Sequence, residues 1–165
     1  MTPVFFLPGA GGSSGFWQPL AALLPPGGPR VHFNWPGLGN EPHDPAVGSL
    51  EDLVDFVKVH MDRPIDLVAQ SMGGVIAARL AIERPDRVRR LVLAVTSGGV
   101  DMAGLGAADW RADYRRSYPR AADWITAHRA ASNLPVERIA APTLLLWGDA
   151  DPISPTAVVR HLKAR

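Results

Sequence analysis

Leu67-Val68-Ala69-Gln70-Ser71-Met72-Gly73-Gly74 decides the fold, because a short apolar run stops at a serine and passes at once into an alanine-rich helical stretch. A serine hydroxyl is a poor nucleophile unless it is thrust clear of its surroundings, and a sharp strand-to-helix turn does this at the cost of a strained backbone. Such a turn brings together the residues two before and two after the serine, so both must be small. Here they are Ala69 and Gly73, which makes the motif A-x-S-x-G where G-x-S-x-G is commoner. The helix predicted from Met72 to Glu83 aims its first N–H groups at the space beside Ser71, a place suited to developing negative charge. Ser71 could equally cap that helix, as serines often do, and the motif alone leaves both readings open.

Composition narrows the class. The chain has 165 residues, 47% hydrophobic and 20% charged, enough apolar material for one globular core. Its net charge of +1 gives no global field to recruit nucleic acid or an anionic membrane. With no cysteine, disulfides, thiolate chemistry and cysteine-ligated metals are excluded. The first residues, Met1 to Leu7, lack the basic region and length of a signal peptide, and no stretch approaches the roughly 18 apolar residues of a membrane span. Cytoplasmic residence follows as the expectation.

Along the chain, short apolar runs alternate with helical patterns, which predicts a mostly parallel sheet flanked by helices. Strands are expected at Val4 to Leu7, Val31 to Asn34, Ile65 to Ala69, Leu91 to Val95 and Thr143 to Trp147. Helices are expected from Phe16 to Leu24, after the Ser49 capping box, after Ser71, and from Thr156 to Arg165 with Ser154-Pro155 as its start. The glycine loop Pro8-Gly9-Ala10-Gly11-Gly12 invites a dinucleotide reading. Its spacing lacks the third small glycine or alanine, however, and the second strand ends at Asn34 and not at the acid that would hold a ribose. No G-x-x-x-x-G-K-[ST] stretch exists, so a P-loop is excluded.

Four stretches in order resemble the α/β-hydrolase superfamily, of the serine esterase and lipase kind. They are Leu7-Pro8-Gly9-Ala10-Gly11-Gly12, Asn34-Trp35-Pro36-Gly37-Leu38-Gly39-Asn40, Ala69-Gln70-Ser71-Met72-Gly73, and Ala141-Pro142-Thr143 through Trp147-Gly148-Asp149-Ala150-Asp151. Pro8 stands where the family usually has histidine, and Asn34 and Asn40 bracket a segment that usually begins with Asp and ends with Ser. The resemblance implies an α/β-hydrolase core over 1–100 and 136–165 with a small helical cap over 101–135. It also implies catalytic Ser71 and Asp151, with the backbone N–H groups of Ala10 and Met72 binding the oxyanion. Asp149 and Asp101 are rival acids, and a turn role for Asp151 is the plain alternative.

The base is the departure. The family places its histidine after one more helix and strand, whereas His161, the sole histidine after Asp151, falls inside the last predicted helix. His43 is expected near the pocket rim; His32, His60 and His128 read as strand, helix-end and insertion residues. The expectation is therefore that the final strand and histidine loop lie outside these 165 residues, or that the protein lacks its own base. In the insertion, Trp110, Tyr114 and Tyr118 recur every four residues as a packing stripe flanked by Arg111, Arg115, Arg116 and Arg120. The resemblance implies hydrolysis of a small-molecule ester or thioester without cofactor or metal, the other class being a non-catalytic binding or receptor protein. Thr143 to Trp147 is expected to be buried on both faces, so that an unpaired outer edge there would drive self-association.

Overall fold

Val-Phe-Phe-Leu forms strand β1 (Val4–Leu7) because branched and aromatic side chains suit a strand covered on both faces. In the computed structural model, which describes residues 1–102, 104–127 and 133–165, β1 belongs to a five-stranded sheet. The other strands are β2 (Arg30–His32), β3 (Ile65–Gln70), β4 (Val88–Ala94) and β5 (Thr143–Leu146), in spatial order β2-β1-β3-β4-β5. Every pair is parallel, with Phe6 beside Val68, Val68 beside Val92, and Val92 beside Leu144. Ser71 thus follows the central strand.

One face of the sheet carries the main core. Leu7, Leu67, Ala69, Leu91 and Leu93 are buried there against α2 (Leu50–Lys58) and α3 (Met72–Glu83). Leu50, Leu53, Val54 and Val57 form the expected apolar stripe of α2. The Ser49 hydroxyl caps this helix by accepting from the Asp52 N–H at 3.2 Å, while the shorter Asp52 side chain accepts from Gly48 N–H at 2.9 Å. The opposite face holds Phe6 against Trp17 and Ala21 of a 3₁₀ turn (Ser14–Trp17) and α1 (Gln18–Leu23). No described helix is long and apolar enough to cross a membrane.

Several boundaries differ from expectation for local reasons. β2 ends at His32, because Phe33 N–H still bonds Phe6 O at 3.0 Å but Trp35 N–H turns away to Gly12 O at 3.0 Å. The Trp35 indole then donates to Pro8 O at 2.9 Å, pulling the chain onto the glycine loop. β4 stops one residue early because Val95 adopts φ 40°, which a β-branched residue rarely tolerates. Pro155 lies outside α6 (Thr156–Lys163), since the Trp147 indole holds Ser154 O at 2.9 Å and draws that turn inward.

The largest correction concerns β5. The expectation of a strand buried on both faces fails: Leu144 and Leu146 are 54% and 45% exposed, and among the described residues β5 pairs only with β4. These leucines lie on the same face as Phe6 and Val68, in register beyond Val92 and Ala94, past the reach of α1. Among the described residues between β4 and β5 are two short α-helices, α4 (Arg111–Ser117) and α5 (Trp124–Ala127), whose Tyr114 and Ile125 are buried in the main core. His128 lies outside the described residues.

Candidate active site

Ser71 sits between β3 and α3 at φ 53° and ψ −121°, a conformation costly for any residue with a Cβ. The main chain is held there from two sides. Ser71 N–H donates to Ala94 O at 3.0 Å, and the buried Thr96 hydroxyl donates to Ser71 O at 2.5 Å. Gly73 must be small for a reason the motif did not reveal: a Cβ there would collide with Pro8 O and lie 2.7 Å from Leu7 O, both backbone atoms at the end of β1. An overpacked contact of this kind costs about 1–3 kcal/mol. Close apposition of α3 to β1 also brings the glycine loop beside the serine.

The reading of Ser71 as a helix cap does not hold. It occupies the residue before α3, yet its side chain makes no capping hydrogen bond. Ser71 instead lines a cavity of about 530 Å³, together with Ala10 and Met72. Neither the Ala10 nor the Met72 N–H donates a hydrogen bond to any group among the described residues. The Met72 N–H is one of the donors left over at the start of any helix, and Ala10, Ser71 and Met72 line one cavity at the positive end of the twelve-residue α3.

The remaining wall is mostly apolar. Leu50 and Val75 come from the core elements, Val100 and Met102 from the segment after β4, and Trp110 and Ile125 from the insertion. Of the aromatic stripe, only Trp110 reaches the cavity; Tyr114 and Tyr118 pack behind it. Trp110 meets Tyr114 edge-on at 5.4 Å, and the Arg111 guanidinium lies 5.6 Å from the Trp110 ring. Arg111 and Asp101 contribute polar parts of the wall.

Asp151 is placed less directly. Its Oδ1 accepts from Ile153 and Ser154 N–H groups at 2.8 and 2.9 Å, so it does serve the turn. Its Oδ2 takes no hydrogen bond among the described residues, and Ile153 and Ser154 carry the turn to the cavity wall although Asp151 itself does not line it. Asp149 is exposed. No described histidine bonds Ser71 or Asp151: His43 Nε2 contacts Arg120 O at 2.8 Å, His60 Nδ1 contacts Phe56 O at 2.9 Å, and His161 Nε2 faces Arg165. His32 stacks on Phe6 on the far face of the sheet, and His43 does not line the cavity as expected.

A strained serine after the central strand of a five-stranded parallel sheet, beside a glycine loop, is the arrangement of the α/β-hydrolase fold. The alpha/beta hydrolase family model matches residues 4–135, and the chain belongs to that family. It is similar to the pimeloyl-[acyl-carrier protein] methyl ester esterase of Neisseria meningitidis, with 32% identity over 90 residues that cover 54% of this chain and 35% of the relative. Among solved structures it resembles a hydrolase from Pseudomonas aeruginosa (TM-score 0.75, 20% identity, 99% of this chain and 77% of that one). The enol-lactonase of Burkholderia xenovorans is comparable (TM-score 0.72, 20% identity, 98% and 78%). The chain spans about a third of the length of the curated relatives it matches.

Proposed function

We propose that the protein is a cofactor-free serine hydrolase that cleaves a carboxylic ester or thioester through an acyl-enzyme on Ser71. The observation that carries this reading is that one cavity is lined by Ser71, whose hydroxyl is uncommitted, and by Ala10 and Met72, whose N–H groups make no hydrogen bond among the described residues. Similarity to esterases supports the substrate class. In this reading Ser71 Oγ attacks the acyl carbon while its proton passes to an imidazole outside the described residues, which Asp151 Oδ2 orients and stabilises when charged. The two N–H groups receive the oxyanion, each worth about 3 kcal/mol of barrier. Collapse expels the alcohol or thiol, which takes the proton from the imidazolium. Water, deprotonated by the same imidazole, then attacks the acyl-enzyme to release the acid and free Ser71. Acting through a histidine, Asp151 has no need to line the cavity itself.

Residues 101–135 serve in this proposal as a cap on a core of 1–100 and 136–165, since Trp110 and Ile125 share the cavity with Ser71 and offer an apolar seat for the acyl chain. The cell compartment proposed is the cytoplasm. A second reading, a non-catalytic binding or receptor protein, is favoured by one observation: no described histidine bonds Ser71 or Asp151. Incubating the full-length protein with p-nitrophenyl esters and acyl thioesters separates the two. Multiple turnovers abolished by Ser71→Ala establish the hydrolase; saturable one-to-one binding with no product establishes the receptor.

The open side of β5 supports a further element of the proposal. A strand of four residues with exposed Leu144 and Leu146, and no proline or charge within it, pairs only with β4 among the described residues and offers its other edge to another strand. A polypeptide of residues 1–165 is expected to self-associate through this edge. Light scattering over a range of concentrations should show growing mass, and a monodisperse monomer at every concentration contradicts the expectation.

A further inference from the structure

Tyr114 is buried on α4 and does not line the cavity, yet its hydroxyl bonds backbone groups of two separate loops. It donates to Ala10 O at 2.7 Å across 104 positions of sequence and accepts from Gly39 N–H at 2.9 Å. Gly39 has φ 59°, and a Cβ there would collide with Gly11 O. The two loops therefore meet backbone to backbone, and the Tyr114 hydroxyl bonds both of them. Its ring is fixed between Trp110 at 5.4 Å and Tyr118 at 5.0 Å.

The aim of the Ala10 N–H depends on the two peptide planes that flank that residue. The first plane contains the N–H itself and is held by Gly9 O, which accepts from Gly12 N–H at 3.0 Å. The second contains Ala10 O, and Tyr114 is the group that holds it. We propose that Tyr114 is a positioning residue whose hydroxyl fixes the Ala10 peptide so that its N–H points at the developing oxyanion, making the insertion part of the catalytic geometry. This rests on the reading of Ser71 as nucleophile. Burial raises the phenol pKa above its ordinary value, so the hydroxyl stays protonated and able to donate across the neutral range.

Tyr114→Phe in the full-length protein keeps the ring and removes only the hydroxyl. Loss of a direct oxyanion donor costs a factor of about 10²–10³, and a misaimed donor costs less. The expected result is a kcat about tenfold lower with KM within about twofold, and an affinity for a trifluoromethyl ketone analogue weakened by the same factor as kcat. Tyr118→Phe, whose hydroxyl makes no hydrogen bond among the described residues, should leave all three unchanged. Unchanged kcat in a folded Tyr114→Phe, or a kcat loss without loss of analogue affinity, overturns the proposal.

Should that variant not fold, tetrafluorotyrosine incorporated at 114 keeps the hydroxyl and both its partners, with fluorine in place of the ring hydrogens, while its phenol ionises at much lower pH. Once ionised it cannot donate to Ala10 O. The expected pH profile of kcat falls on the alkaline side at the ionisation of the fluorinated phenol; a profile superimposing on that of the parent overturns the proposal. Parent turnover that survives Ser71→Ala marks failure of the nucleophile reading instead, and overturns this one with it.

Discussion

Replacing Ser71 with alanine in the full-length protein is expected to lower kcat for ester hydrolysis by on the order of 10⁶, the loss seen when the nucleophile of a serine triad is removed. The melting temperature should barely move. Ser71 Oγ makes no hydrogen bond among the described residues, so its removal leaves no partner there unpaired, and alanine meets the same positive φ that serine already tolerates. A serine acting only as a helix cap would behave in the opposite way, costing about 1 kcal/mol of stability and no activity. Paired turnover and thermal-melt measurements on parent and variant therefore separate the two roles. Retained turnover with a lowered melting temperature contradicts the assignment.

Asp151→Asn is expected to reduce kcat by about 10⁴, as when a triad carboxylate becomes an amide that favours the wrong histidine tautomer. Folding should survive, because the Asn carbonyl oxygen can still accept from Ile153 and Ser154 N–H groups in place of Oδ1. Asp149→Asn should change kcat by less than about twofold, since that side chain points from an exposed turn and makes no hydrogen bond among the described residues. Kinetics and melts of both variants decide between the two acids. Equal losses would remove the ground for preferring Asp151.

What the sequence disclosed and what it withheld follow from the range of the forces involved. The elbow was legible because every requirement is local: an apolar strand, a strained serine, and small neighbours within two residues. The cause of the small residue at Gly73 was not local, being the carbonyl groups that end β1, and only its size could be read. The apolar run of β5 reads as a strand buried on both faces, which it is not. Whether those faces are covered depends on elements elsewhere in the chain, and Leu144 and Leu146 prove exposed. Periodicity placed Trp110, Tyr114 and Tyr118 on one helical face without separating their fates. Only Trp110 enters the cavity, while the Tyr114 hydroxyl finds a carbonyl 104 residues away. Val95 and Thr96 gave no signal at all: a β-branched residue opposes a positive φ by propensity, and nothing marks a threonine that will hold the carbonyl of the serine.

The central claim is that Ser71 becomes covalently acylated. Incubating the full-length protein with a fluorophosphonate probe, digesting it and mapping the mass shift by tandem mass spectrometry tests this directly. A single adduct on Ser71, lost in Ser71→Ala and slowed in Asp151→Asn, is the predicted result; an adduct on another residue, or none on a sample that hydrolyses esters, contradicts it.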